Sequence, residues 1–195
     1  MVSARSSSLR SFSGTKGFDM GFSSNWMLVR GMTPEQVWEA LGVRPSGTRT
    51  DFPEPPLSGS VRPDGSYLVV EDRAEEDVEY TWDLAKLSLG GEVIGVGEVD
   101  GAGGAEVVLW RDGQRVWGIA APLDEGDPEV RGDLPTQIRA AVERDARGEP
   151  GNEYYDDPDY FNAILALGTS LTGYQCGSGI DQPGTKPFEI LTGIQ

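Results

Sequence analysis

Apolar and polar positions alternate most regularly between Glu92 and Leu123, EVIGVGEVDGAGGAEVVLWRDGQRVWGIAAPL, and the pattern predicts three consecutive antiparallel strands. Glu92–Val99 and Ala105–Arg111 flank a Gly-rich turn over 100–104, and Asp112-Gly113 turns the chain tightly into Gln114–Ala121. Asp-Gly supplies the positive φ angles that a two-residue hairpin loop needs. β-Branched and aromatic residues crowd these strands: Val93, Ile94, Val107, Val108, Trp110, Val116, Trp117 and Ile119. Upstream, Phe22–Arg30 contains Trp26-Met27-Leu28-Val29 and reads as a buried strand ended by Gly31. Thr33-Pro34-Glu35-Gln36 then opens a helix. Thr33 is placed as N-cap, Pro34 at the first helical position and Gln36 as the partner in a capping box, with Met32 and Val37 as a hydrophobic staple. Val37, Trp38 and Leu41 form its apolar face, and Gly42 stops it.

The rest of the chain is less regular. Arg44–Pro63 carries Pro45, Pro53, Pro55, Pro56 and Pro63 and reads as loop; Ser66–Val70 is a short strand after Asp64-Gly65. Trp82–Leu89 reads as a short helix with Trp82, Ala85 and Leu89 inward, closed by Gly90. Beyond the hairpins, Asp124–Gly132 is acidic and turn-forming, and Leu134–Arg147 is a helix capped by Asp133 with Leu134, Ile138, Ala141 and Val142 on one face. A last helix follows Asp157-Pro158 through Tyr160, Phe161, Ile164 and Leu165. The expected organisation is an N-terminal extension over 1–19, one α+β domain over 20–175 and an extended C-terminal tail over 176–195, packing through Phe188, Ile190 and Leu191. The expected fold is a mainly antiparallel sheet with helices packed on one face and flexible tails at both ends.

Composition narrows the functional classes. The chain has 195 residues, 37% of them hydrophobic, with five Trp, six Tyr and six Phe, which suffices for one core. Its 32 acidic and 16 basic residues leave a net charge of −16. Such a surface repels nucleic acid and anionic lipid, so direct nucleic-acid or membrane binding is disfavoured. It suits either solubility in a crowded cytosol or docking on a basic partner, as a nucleic-acid mimic would. With no His and a single Cys, no internal disulfide, no Cys/His metal site and no Ser-His or Cys-His pair can form. Residues 1–17 are Ser-rich and basic (Arg5, Arg10, Lys16) without the apolar centre of a secretory signal, and Met20 offers a second start besides Met1. No segment reaches the ~18 apolar residues of a membrane span. The expected location is cytoplasmic, with no cofactor and no metal.

Candidate chemistry is sparse. Gly95-Val96-Gly97…Gly101 has the wrong spacing for a dinucleotide fingerprint and no following helix. Gly179…Gly184-Thr185-Lys186 inverts the order of a phosphate loop. Cys176 lacks an activating base and reads as an ordinary thiol, Lys186 being too little to activate it. The acidic run Glu71–Glu79, with Glu75, Glu76 and Asp77 at its centre, is either a solvated face or a docking surface, and it lacks calcium-loop spacing. In Glu153–Phe161, carboxylates alternate with aromatics. Asp156, Asp157 and Asp159 suit a helix N-terminus, while Tyr154, Tyr155 and Phe161 are the kind of anchors that interfaces use. Glu98 shares the face of Ile94 and Val96, which makes it the one candidate for an unusual carboxylate.

Trp26–Val43 (WMLVRGMTPEQVWEALGV), Ser88–Val99 (SLGGEVIGVGEV) and Trp110–Trp117 (WRDGQRVW), followed by Leu171–Tyr174 (LTGY), resemble small uncharacterised actinobacterial proteins with an R-G-x-T-P-E-x-x opening and a W-R-D-G-x-x-V-W hairpin. The resemblance spans roughly 20–175 and implies a bacterial origin and one α+β domain, but no activity. That group carries an acidic-His pair after the second strand, whereas here Val99 and Asp100 follow Glu98. The expectation for function is an acidic partner-binding protein without catalytic residues, of the immunity or inhibitor type, docking on a basic protein. The alternatives are a structural component of a phage or similar assembly, and a carboxylate- or metal-dependent enzyme built on Glu98 and the acidic loops.

Overall fold

Four apolar residues in succession, Trp26–Val29, leave a strand without a polar face, and the chain covers both sides of it. The computed structural model describes residues 23–73, 82–99, 103–121, 126–148, 158–179 and 184–193. Their frame is one nine-stranded sheet in the order β2 (Val43–Thr50), β9 (Phe188–Gly193), β3 (Leu57–Val61), β4 (Tyr67–Arg73), β1 (Ser23–Arg30), β5 (Glu92–Val99), β6 (Gly104–Arg111), β7 (Gln114–Ala120), β8 (Glu129–Gly132). Every neighbouring pair is antiparallel. The α+β, mainly antiparallel reading therefore holds. The β5–β6–β7 meander follows the predicted turns, with Asp112 at φ 49° and Gly113 at φ 79°, both positive as a two-residue hairpin requires. Glu92 fixes the register across three strands. It faces Arg30 on one side and Arg111 on the other and is ion-paired to both. Burial works against that carboxylate, but hydrogen bonds from Arg111 and Arg30 outweigh it and hold it below the usual range.

The two faces carry separate cores. On one, Trp26, Leu28, Leu68, Val70, Ile94, Val96, Val107, Trp117 and Ile119 meet α3 (Thr136–Arg147) and α4 (Tyr160–Thr172) through Val142, Ala146, Ala163 and Ile164. On the other, Met27, Val29, Val69, Val93 and Val108 meet α1 (Pro34–Leu41) and α2 (Leu84–Leu87) through Val37, Leu84 and Leu87. Helices over one face thus describes the two long helices; the two short ones cover the opposite face, because odd and even positions of the central strands are both apolar. The predicted start of α1 is present in full: Gln36 N donates to Thr33 Oγ1 at 3.4 Å, and Thr33 N donates to Gln36 Oε1 at 2.8 Å.

Other expectations are corrected. Within the expected loop Arg44–Pro63 lie β2 and β3; Pro45 is tolerated because β2 is the edge of the sheet and bulges between Pro45 and Arg49. Within the segment expected as a tail, Phe188–Gly193 is an interior strand between β2 and β3, with Phe188 and Leu191 buried. In α2 the inward residues are Leu84 and Leu87, while Leu89 is 61% exposed: Asp83 caps the turn, so the helix spans Leu84–Leu87 instead of Trp82–Leu89 and its buried phase shifts. α3 begins at Thr136 behind Pro135, and Asp133 spends its backbone N–H on Val116 O instead of capping the helix with its side chain. Among the described residues no helix is long and apolar enough to cross a membrane.

Candidate functional site

The last helix sets up the cleft that carries the candidate site. Asp159 caps α4, its Oδ1 accepting from Asn162 N at 3.0 Å, and Gly173 closes it at φ 64°. Tyr160, Ala163, Ile164, Gly168 and Thr172 recur at helical spacing and bury against the sheet. Gly168 permits the close approach: a Cβ there would lie 2.8 Å from Val96 Cγ1 and 3.3 Å from Val107 Cγ2. With that stripe held down, Phe161, Asn162, Leu165, Ala166, Thr169 and Ser170 fall on the adjoining flank. They form one wall of a cleft of about 620 Å³, whose other walls are Trp26 on β1, Glu98 on β5 and Gln175-Cys176 after the helix. The size is that of small-ligand clefts.

Buried hydrogen bonds keep this cleft in shape. Trp26 Nε1 donates to Thr172 Oγ1 at 3.1 Å, and the Thr172 hydroxyl donates to Gly168 O at 2.8 Å. Tyr174 packs edge-on against Trp26 with ring centroids 5.5 Å apart, and Phe188 continues the aromatic row. The guanidinium of Arg62, almost wholly buried, donates to Gly173 O at 2.6 Å and so satisfies a carbonyl at the C-terminus of α4. Trp26 is therefore fixed from behind and offers a rigid apolar floor. Glu98 brings the charge. It is half-buried on the face of Ile94 and Val96, as alternation predicts. Above this floor the cleft is lined by Phe161, by the polar side chains of Asn162, Thr169 and Ser170, and by the Glu98 carboxyl group.

Of the residues singled out in the sequence, Phe161, Glu98 and Cys176 come together in this cleft. Asp159 is not among the lining residues; it is the exposed helix cap, and Asn162 Nδ2 donates to its Oδ2 at 2.7 Å. Tyr154, Tyr155, Asp156, Asp157, Glu75, Glu76 and Asp77 lie outside the described residues. Lys186 borders a different cleft, near Trp38 and Tyr67. There, burial pushes the Tyr67 phenol up to about 12, although Trp38 Nε1 donates to its hydroxyl at 2.8 Å. Sequence reasoning missed Trp26, Asn162, Thr169, Ser170 and Gln175. The available signal was that Asn162 and Ser170, eight residues apart, fall on one stripe of the helix with Thr169 beside it, on a helix otherwise rich in apolar residues.

A second cleft, about 390 Å³, opens on the opposite face between Trp82, Trp110, Glu106, Arg115 and Arg131. The Arg115 guanidinium lies 5.3 Å from the Trp110 ring centroid, and Arg131 pairs with Glu129 through Nε at 2.8 Å and with Glu106 at 3.7 Å. Burial pushes the Glu106 carboxyl above its ordinary range despite the pull of Arg131 and Arg115. Its charges largely cancel one another, which leaves it a structural cross-link between β6 and β8. Among the described residues no group of three or more His, Cys, Asp or Glu is placed to hold a metal ion. Comparison with protein-family models, with curated proteins and with solved structures finds no match.

Proposed function

We propose that this chain is an acidic partner-binding protein that docks on a basic protein surface, as an immunity-type or inhibitor protein does. The observation that carries this reading is the unmatched negative charge: 32 acidic against 16 basic residues. Several of the cations are already engaged internally, Arg30 and Arg111 on Glu92, Arg131 on Glu129, and Arg144 on Asp145. Further positive charge to complement this surface comes from outside the chain. An excess of one sign over a whole surface steers an oppositely charged partner and raises the association rate. The cleft beside α4 supports the same reading, because it joins a carboxylate to an aromatic wall where a partner side chain can be desolvated.

Capture from native lysate at physiological salt, where charges are screened over about 8 Å, identifies the partner, and stopped-flow mixing then measures its association rate. The expected partner has a basic surface, and its association slows steeply as salt rises. Neutralising Asp156, Asp157 and Asp159 together slows association more than it speeds dissociation. Association indifferent to both salt and the triple substitution overturns the reading.

A further inference from the structure

At the β2 end of the sheet, the start of α1 and the strands β2, β9, β3 and β4 line a cleft of about 220 Å³. Strand register explains its floor. Arg49, Glu189 and Gly59 are cross-strand neighbours on β2, β9 and β3, so they share one face of the sheet, and Gly59 adds no side chain to it. The end of Tyr67 takes the room that glycine leaves, since a Cβ at 59 would collide with its hydroxyl. Tyr67 is 2% exposed, and Trp38 Nε1 donates to that hydroxyl at 2.8 Å. Among the described residues the phenol's own proton has no acceptor, and burial keeps it on the oxygen at neutral pH. Lys186 is pinned by its backbone: Ser60 Oγ donates to Lys186 O, and Lys186 N donates to Val61 O at 3.2 Å. Its side chain is left exposed at the cleft.

Charges of both signs line this cleft, Arg49 and Lys186 against Glu35 and Glu189, yet among the described residues no ion pair joins any of them. Elsewhere Arg30, Arg111, Arg131 and Arg144 each have a carboxylate partner. We propose that the cleft binds a free α-amino acid with an apolar side chain, its carboxylate on Arg49, Lys186 and the Tyr67 hydroxyl and its ammonium on Glu189. Charge selects a zwitterion. An anion alone meets Glu189 and a chain of net charge −16, a cation alone meets Arg49 and Lys186, and a neutral molecule gains from neither pair. The guanidinium fork matches a carboxylate with two parallel N–H donors, and an ammonium is a compact charge that a lone carboxylate suits. Trp38 and Pro187 offer apolar surface to the side chain. The volume falls below the ~300–1,000 Å³ of sites for drug-sized ligands, as a molecule this small requires. This site and the acidic docking surface are independent, and either can fail without the other.

Titration calorimetry of the full chain with L-leucine and L-phenylalanine measures binding. The indole N–H resonance of Trp38, identified by its loss in Trp38→Phe, reports where it occurs. At least one of the two amino acids is expected to bind and to shift that resonance with the calorimetric midpoint. Its amide, which lacks the carboxylate, and its N-acetyl derivative, which lacks the ammonium, should each bind about tenfold more weakly or worse, because each gives up a charged hydrogen bond. Arg49→Gln should weaken the amino acid by a similar factor and leave the amide unchanged, and Glu189→Gln should weaken the amino acid and leave the N-acetyl derivative unchanged. Arg139→Gln on α3 and Asp127→Asn ahead of β8 make the same changes of net charge at exposed positions on other elements and should leave binding unaltered. Absence of binding by both amino acids at about 10 mM overturns the proposal. So does equal binding of the amide or the N-acetyl derivative, binding that leaves the Trp38 resonance in place, or affinity that survives both Arg49→Gln and Glu189→Gln.

Discussion

Replacing Thr172 by Val tests whether one hydroxyl ties the last helix to the sheet beneath the candidate cleft. Thr172 is 3% exposed and Trp26 is 1% exposed, so neither group can turn to water. Val copies the shape of Thr but offers the indole N–H no acceptor. A buried donor left unpaired costs about 1–3 kcal/mol. Part of this is offset, because the Thr172 hydroxyl no longer has to be desolvated and no longer bonds back to the Gly168 carbonyl, a contact that slightly weakens helices. The net expectation is a loss of about 1–2 kcal/mol. For a chain of this size each kcal/mol moves the melting point by about 2–4 °C, so Tm should fall by about 2–8 °C. Urea unfolding followed by circular dichroism measures it, and Thr172→Ser, which keeps the acceptor, should stay close to the parent. The decisive step is the same substitution in a Trp26→Phe background. With the indole donor already gone, Thr172→Val should cost about 1 kcal/mol less, the remainder coming from the longer bond of 3.3 Å that Tyr174 N donates to Thr172 Oγ1. An equal cost in both backgrounds would show that the loss comes from packing and that the hydrogen bond does not fix Trp26.

Trp117→Ala should cost about 3–5 kcal/mol in urea unfolding, because the ring is 3% exposed under α3 and α4; Trp110→Ala, half-buried on the other face, should cost clearly less. Gly168→Ala gains up to about 1 kcal/mol of helix propensity but drives a methyl into Val96, an overpacking cost of about 1–3 kcal/mol; its net cost should shrink in a Val96→Ala background, and an undiminished cost would place the strain elsewhere. Glu106 binds its proton more tightly folded than unfolded, so its favourable contribution is present below the ordinary carboxylate range and is lost as pH rises through the raised native value. Glu106→Gln should therefore match the parent near pH ~4 and be relatively more stable near pH ~7, and a reversed trend would show that the ion pair with Arg131 outweighs burial.

What could be read in the sequence was what neighbouring residues decide. The β5–β7 meander depends on a period of two and one Asp-Gly turn, and α1 depends on Thr33, Pro34 and Gln36 within a single turn of chain. The strands that escaped notice depend on partners far away. β9 finds its place between β2 and β3 only through pairings such as Thr50↔Phe188 and Ser58↔Ile190. In β3, Leu57-Ser58-Gly59-Ser60-Val61 reads as a polar loop, yet Ser58 and Ser60 are at most 1% exposed. Their hydroxyls donate to the backbone carbonyls of Glu54 and Lys186, which removes the penalty that makes serine look like a surface residue. The covering of both faces was legible in principle, since Trp26–Val29 and Leu68–Val70 are apolar without alternation, and a strand of that kind needs a layer on each side.

The site divides along the same line. Period two placed Glu98 on the face of Ile94 and Val96, and the opening of α4 put Phe161 beside Asp159, but neither pattern brings them together. Their meeting depends on how α4 crosses the sheet, and that crossing is held by Gly168 against Val96, a contact that no local pattern encodes. One pleat further along the same face of β5, the packing that buries Val96 gives way to the cleft, and the residue at that point is a glutamate. A leucine at position 98 would carry the core outward and fill the opening. The carboxylate instead holds a half-buried position where helix and sheet part.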